Sequence, residues 1–183
     1  QTFKTRAVTA VIFLFLLLAG LLWNRWGFLE LFSIIHFGCW WEYQKLVGLI
    51  DGSYKTINPF HNYGAMIAGF GLMLFCTDDW YVTNKVSLYS IGWMIGLVAL
   101  LIIPVAELLF SKNLNAKNIG YTVLGLIYIS LSWGLMLNIR SEGFGFKGTS
   151  LMLELGIIIP CLIIFSIWIN DTMAYIVGSL IGK

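Results

Sequence analysis

About six apolar stretches follow one another along this chain, each near the length that crosses a lipid bilayer and separated by short polar breaks. They occupy residues 7–23, 28–50, 63–75, 86–110, 119–137 and 151–169. Hydrocarbon offers a peptide group no hydrogen-bond partner, so a crossing chain must satisfy its backbone within the segment, which a helix does. One crossing takes roughly 20 apolar residues. The stretches therefore predict an all-α, polytopic transmembrane protein. Only 11% of the residues are charged and 59% are hydrophobic, where a soluble domain carries about 25% charge. No repeat, low-complexity tract or soluble domain interrupts the pattern, so residues 1–183 read as a single transmembrane domain.

The breaks have turn chemistry. Asn24-Arg25-Trp26-Gly27 makes a tight polar turn, and Gly52, Ser53 and Pro59 punctuate a loop over 51–61. Thr77-Asp78-Asp79-Trp80 closes the short, Gly-rich third stretch, and a Gly-rich loop covers 141–148. Pro104 and Pro160 fall inside stretches, where a kink is tolerated if neighbours satisfy the freed carbonyls. Lysine and arginine in the loops set orientation. With the N-terminus inside, the cytoplasmic side holds Lys4, Arg6, Lys45, Lys55, Lys112, Lys117 and Lys183, and the outer side holds Arg25, Lys85, Arg140 and Lys147. This bias puts Asp171 and Lys183 on the cytoplasmic side. A net charge of +2 lacks the concentrated basic face that nucleic acid requires. Cys39, Cys76 and Cys161 lie far apart in apolar segments and read as small core residues, not as a disulfide or zinc framework. Lys4 and Arg6 ahead of an apolar run imitate a secretory signal, but no small-residue cleavage site follows.

The most telling polar residues end the last stretch, where Asn170-Asp171 leads through Ala174-Tyr175 to Gly178, Gly182 and Lys183. A carboxylate at the end of a span is costly and usually functional. Near phosphates such a group typically holds Mg²⁺, which takes oxygen ligands and bridges phosphate oxygens. Asp171 could equally end one helix or cap the next. A Gly-rich turn ending in Lys suits phosphate, because bare backbone N–H groups and a cation both approach it. The spacing of Gly178 and Gly182 equally matches small-residue helix packing, and Lys183 could snorkel to the interface. Glu42 and Glu107 lie in or near spans, the former among Trp40, Trp41 and Tyr43, a grouping usual in interfacial belts. Glu30 and Arg25 could pair across the first turn. His36, alone on an apolar face, reads as a satisfied core residue. No zinc cluster, nucleophile elbow, Walker loop or Rossmann motif occurs.

The tail resembles the Asn-Asp-x-x-Ala-Tyr-x-x-Gly-x-x-x-Gly-Lys/Arg motif of phosphatidate cytidylyltransferases (CDP-diacylglycerol synthases). Phe3-Lys4-Thr5-Arg6 resembles that family's basic lead into its first span. Trp40-Trp41-Glu42-Tyr43-Gln44-Lys45-Leu46 resembles its Trp-Glu-[Tyr/Phe]-x-x-Leu segment. Residues 120–128, Gly-Tyr-Thr-Val-Leu-Gly-Leu-Ile-Tyr, with Leu137-Asn138-Ile139-Arg140 further on, resemble a later span. The matches spread over nearly the whole chain, and the most specific lies in 170–183. Met173 stands where bacterial members often carry Gly, and Ser179 where Arg is common, which weakens a phosphate contact.

The resemblance implies a nucleotidyltransferase of phospholipid biosynthesis. CTP and phosphatidic acid would give CDP-diacylglycerol and pyrophosphate, by in-line attack of the lipid phosphate on the α-phosphorus with Mg²⁺ neutralising charge. It implies Asp171 as the catalytic and metal-binding residue, and Asn170, Tyr175, Gly178, Gly182 and Lys183 as substrate-binding residues. It implies an inner or plasma membrane protein with its active side cytoplasmic, no nucleic acid partner, and room for a homodimer. The family continues with Ser-Pro-Lys-Lys-Thr-Trp-Glu-Gly and a later signature rich in Lys and Asp. Neither is present here, and the chain starts at Gln1 and stops at Lys183. The expectation is an N-terminal piece, truncated at its C-terminal end, with an incomplete site. A CTP-dependent lipid kinase of the dolichol type is the nearest alternative. A transporter using Glu42, Glu107 and Asp171 as an ion path is the alternative from another class, and would want inverted repeats.

The loop-charge orientation is directly testable. With the native cysteines replaced, single cysteines introduced after Lys112 and after Lys147 are expected to label from opposite faces of sealed vesicles. Labelling from the same face would contradict it.

Overall fold

The computed structural model of the protein describes residues 3–55, 57–83, 85–110, 116–142 and 151–181. The chain runs as α1 (Phe3–Leu22), α2 (Arg25–Ile50), the short α3 (Gly52–Lys55), α4 (Pro59–Phe75), α5 (Leu88–Phe110), α6 (Ala116–Gly125), a π turn (Leu126–Leu131), α7 (Ser132–Glu142) and α8 (Leu151–Ile181). Strands β1 (Val82–Thr83) and β2 (Val86–Ser87) pair antiparallel within the α4–α5 connection. Because α6, the π turn and α7 follow without a break, the all-α expectation holds and each apolar stretch has its helical segment. Among the described residues, three segments have the length and hydropathy of a membrane crossing: Leu88–Val105, Ala116–Ser141 and Leu155–Tyr175.

Local chemistry moves several boundaries from where the apolar pattern puts them. Asn24 caps α2, its Oδ1 accepting from the Gly27 amide at 2.8 Å, so Arg25 to Gly27 belong to the helix and not to a turn. Pro59 starts α4 instead of punctuating a loop. Its missing N–H is harmless in the first turn, and Asn58 Oδ1 accepts from the Phe60 amide at 3.0 Å. Most consequentially, α8 does not stop at Ile169. It continues through Asn170 and Asp171 to Ile181, 31 residues in all, or about 46 Å at 1.5 Å per residue. That exceeds a hydrocarbon core of about 30 Å.

The bundle centres on α4, which contacts α2, α5, the π turn and α7, while α8 lies against α7 and α1. One core cluster joins Leu21, Phe28, Phe32, Met73 and Leu137, and a second joins Trp40, Ala65, Met66 and Ile129. Polar contacts gather at two opposite ends. At one, Arg25 Nη1 donates to the Trp80 carbonyl at 3.0 Å, Tyr81 Oη donates to the Arg25 carbonyl at 3.0 Å, and Asn138 Nδ2 donates to Asp78 Oδ2 at 2.7 Å. Burial pushes the Tyr81 phenol up to about 12, so it remains a donor at neutral pH. At the other end, Ser53 Oγ meets Asn118 Oδ1 at 3.2 Å and His61 Nε2 meets Thr122 Oγ1 at 2.7 Å. The α1–α2 and α4–α5 connections and the end of α7 thus share one end. The α2–α4 connection and the start of α6 share the other.

The closest helix pair, α4 with α5, depends on missing side chains. A Cβ at Gly92 would collide with the Phe75 amide nitrogen and the Gly71 carbonyl, and one at Gly71 would press on Ile95. Backbone cannot rotate out of the way as a side chain can. Gly92→Leu is expected to lower the unfolding temperature in detergent sharply or to abolish monodisperse protein. Gly96→Ala, whose Cβ meets nothing within 4 Å, should behave as wild type. Equal stability of the two variants would show that the hairpin is not built on this contact.

Candidate functional site

A groove of about 720 Å³ runs between α2, the π turn with α7, and α8. From α2 it receives Cys39, Glu42, Tyr43 and Leu46, which recur at helical spacing on one face. From α8 it receives Ile163 and Ile167. Asp171 follows Ile167 by four residues, Tyr175 follows by four more, and Gly178 by a further three, so all share the stripe that begins in the groove wall. Asn170 lies one position round the helix. Asn170, Asp171, Tyr175 and Gly178 are all exposed, and a Cβ at Gly178 would meet nothing within 4 Å. The structure therefore brings Asp171, Tyr175 and Gly178 onto one line of one helix.

This arrangement corrects two readings of the tail. Asp171 neither ends a helix nor caps another, since α8 runs on for ten residues beyond it to Ile181. Gly178 belongs to that helix and not to a Gly-rich turn, so its N–H is committed to the helical ladder. Gly182 and Lys183 lie outside the described residues, as do the side chains of Glu107 and Ser179.

Next to the groove lies a polar knot that the sequence signals only in part. Ser130, in the π turn, accepts from the Trp40 indole N–H at 2.9 Å and sits 3.0 Å from His36 Nε2. All three side chains are fully buried. Gly69 of α4 makes the meeting feasible, because a Cβ there would overlap the Ser130 hydroxyl and crowd the Trp40 and His36 nitrogens. His36 is the core histidine expected, with one nitrogen engaged and Nδ1 buried without a partner. Gly125, just before the π turn, gives room in the same way to the Trp40 and Tyr43 rings. Tyr43 Oη donates to the Tyr121 carbonyl at 2.7 Å, fixing the groove's α2 wall.

Among the described residues no three His, Cys, Asp or Glu side chains gather as a metal cage. One carboxylate is nevertheless compatible with Mg²⁺, which keeps several waters and is commonly held by one or two carboxylates plus substrate phosphates. Asp171, exposed on the stripe, is such a carboxylate. Glu42 stands on the opposite groove wall as an exposed group 3.8 Å from Lys45, both side chains about two-thirds exposed. Such a pair contributes little.

The family model described as the cytidylyltransferase family matches residues 4–183, almost the entire chain. No curated protein and no solved structure gives a match.

Removing the knot's shared hydroxyl should be felt as stability. Ser130→Ala leaves the Trp40 and His36 nitrogens buried and unpaired, and is expected to destabilise by about 1–3 kcal/mol. Thermal unfolding of the purified variant checks this. An unchanged midpoint would mean that the three side chains do not rely on one another.

Proposed function

The chain belongs to the cytidylyltransferase family, a family of CTP-using nucleotidyltransferases, and from that premise we propose that its acceptor is phosphatidic acid and its product CDP-diacylglycerol. In the reaction a phosphate oxygen of the lipid forms a bond to the α-phosphorus of CTP. The α–β anhydride bond breaks, and pyrophosphate leaves with its electron pair. Chemistry of this kind asks the protein for positioning and charge neutralisation more than for covalent participation.

The observation that carries the reading is the α8 stripe. Ile163 and Ile167 line an apolar groove at membrane depth, and Asp171 follows on the same face. An acyl chain lying in the groove would bring its headgroup to the level of Asp171 and Asn170. Asp171 would hold Mg²⁺, which when bound supplies charge neutralisation to the phosphates. Tyr175 and Gly178 continue the stripe beyond, where an aqueous nucleotide would lie along the overhanging helix, with Gly182 and Lys183 following in sequence. The loop-charge bias puts this end on the cytoplasmic side, where CTP is found. A transporter would want its carboxylates sealed near the midplane, whereas Glu42 and Asp171 are both exposed.

In the protein containing this chain, Asp171→Asn keeps size and polarity but removes the charge. We expect kcat for CTP-dependent conversion of phosphatidic acid to fall roughly 10²-fold or more, the scale of losing one preorganised electrostatic group. The unfolding temperature should stay near wild type, since an exposed side chain contributes little packing. Glu30→Gln, on α2 away from the groove, should turn over normally. Wild-type turnover by Asp171→Asn with an unaltered Mg²⁺ requirement would remove Asp171 from the site.

A further inference from the structure

The two faces of α2 serve different spaces. Cys39, Glu42, Tyr43 and Leu46 face the groove, whereas Trp41, Gln44, Lys45 and Gly48, about 200° round the helix at 100° per residue, face a second cavity of about 780 Å³ between α2, α3 and α4. This cavity lies at the end of the bundle that carries the α2–α4 connection, and its other walls come from Tyr54, Lys55, Ile57 and Asn62.

Its charge is one-sided. Among the described residues, two lysines line it and no acidic residue does. Lys55 has no ion pair among the described residues, and Lys45 has only the weak, exposed contact to Glu42 at 3.8 Å. The nearest carboxylate in sequence, Asp51, is engaged elsewhere: its Oδ1 accepts from the Ser53 amide at 2.9 Å. Hydrogen bonding by Ser53, from its side chain first and then from this amide, with Lys117 nearby, holds the Asp51 carboxyl below its ordinary range. Gln44 Nε2 donates to the Asn62 carbonyl at 2.9 Å, bracing α2 against α4 beside the cavity. Gly48 lies beside the stem of Lys55, where a Cβ would stand in ordinary contact 3.6 Å from Lys55 Cγ, so α3 holds this side chain close against α2. The rim is apolar and faces outward, with Trp41 60%, Leu49 68% and Tyr63 57% exposed.

Two cations, Lys45 only weakly paired and Lys55 with no ion pair among the described residues, and an outward apolar rim are what a phosphate attached to a hydrocarbon chain requires. We propose that this cavity binds the phosphate headgroup of an anionic membrane lipid between Lys45 and Lys55, with the acyl chain leaving past Trp41 and Leu49. It is a second lipid position, on the opposite face of α2 from the groove that leads to Asp171, and it does not depend on the reaction assigned there. A free phosphate would be held by the same lysines but would make no use of the apolar rim.

The test is lipid binding to the purified chain, followed by native mass spectrometry in detergent, with phosphatidic acid and phosphatidylglycerol as anionic probes and phosphatidylcholine as the zwitterionic one. Wild type should take up one phosphatidylglycerol per chain more tightly than phosphatidylcholine, and phosphatidic acid, which the groove also accepts, in a second copy. The double variant Lys45→Gln/Lys55→Gln should bind phosphatidylglycerol about ten- to thirty-fold more weakly, from roughly 1 kcal/mol per lysine near an anionic surface. Lys45→Arg/Lys55→Arg should restore binding, and Asp171→Asn should leave it intact. Millimolar inorganic phosphate should not displace the lipid. Wild-type binding by the double Gln variant, equal uptake of phosphatidylcholine, or displacement by inorganic phosphate would each overturn the proposal. A Gln variant that fails to purify while the Arg variant binds normally would support it, because the positive charges alone separate the two.

Discussion

Three polar side chains at the centre of an apolar bundle must satisfy one another, and the protein is arranged around that requirement. Buried polar groups without partners are expensive, and hydrocarbon supplies none. The Ser130 hydroxyl answers the Trp40 indole and stands within hydrogen-bond distance of His36 Nε2, while Gly69 vacates the space where they meet. The knot ties α2 to the π turn across 94 and 90 residues of sequence, with α4 as the third wall. A π turn carries one extra residue per hydrogen-bonded loop, which reorients the side chains that follow. Here it delivers Ser130 inward and Tyr128 outward, the latter into the groove lining.

With α2 fixed in this way, its two faces become walls of two separate spaces. One is an apolar groove completed by α8, and the other is a lysine-lined cavity completed by α3 and α4. The long α8, about 46 Å, exceeds a hydrocarbon core of about 30 Å. Its Ile163 and Ile167 belong to the groove, and its Asp171, Tyr175 and Gly178 continue the same stripe outward. A family whose members use CTP needs such a meeting place whenever the acceptor is a lipid, because one reactant is confined to the bilayer and the other to water.

The helical architecture was legible because hydrocarbon leaves a chain few options, and long apolar runs declare themselves. Helix ends were less so. Pro59 carries the same signal whether it breaks a loop or opens a helix, and only the Asn58 cap separates the two. Asn170-Asp171 looks like a terminus because polar residues usually end a span, yet exposed polar groups interrupt no hydrogen bond and α8 passes through them. His36 was readable as a core residue, but its partner Ser130 was not, since nothing local marks a contact so distant in sequence. The importance of Gly69, Gly71 and Gly92 lies in what a neighbouring helix needs and not in their own turn chemistry. Lys45 and Lys55 were legible only as topological charges; their convergence on one cavity follows from α3 packing back against α2, which nothing local announces.

The central claim, transfer of a cytidylyl group to a lipid phosphate, is tested most directly by following the phosphorus atoms of CTP. The protein containing this chain would be incubated with phosphatidic acid vesicles, Mg²⁺ and CTP labelled at either the α- or the γ-phosphorus. The account predicts α-label in the extracted lipid and γ-label in pyrophosphate. Recovery of γ-label in the lipid would instead identify a CTP-dependent lipid kinase and contradict the assignment.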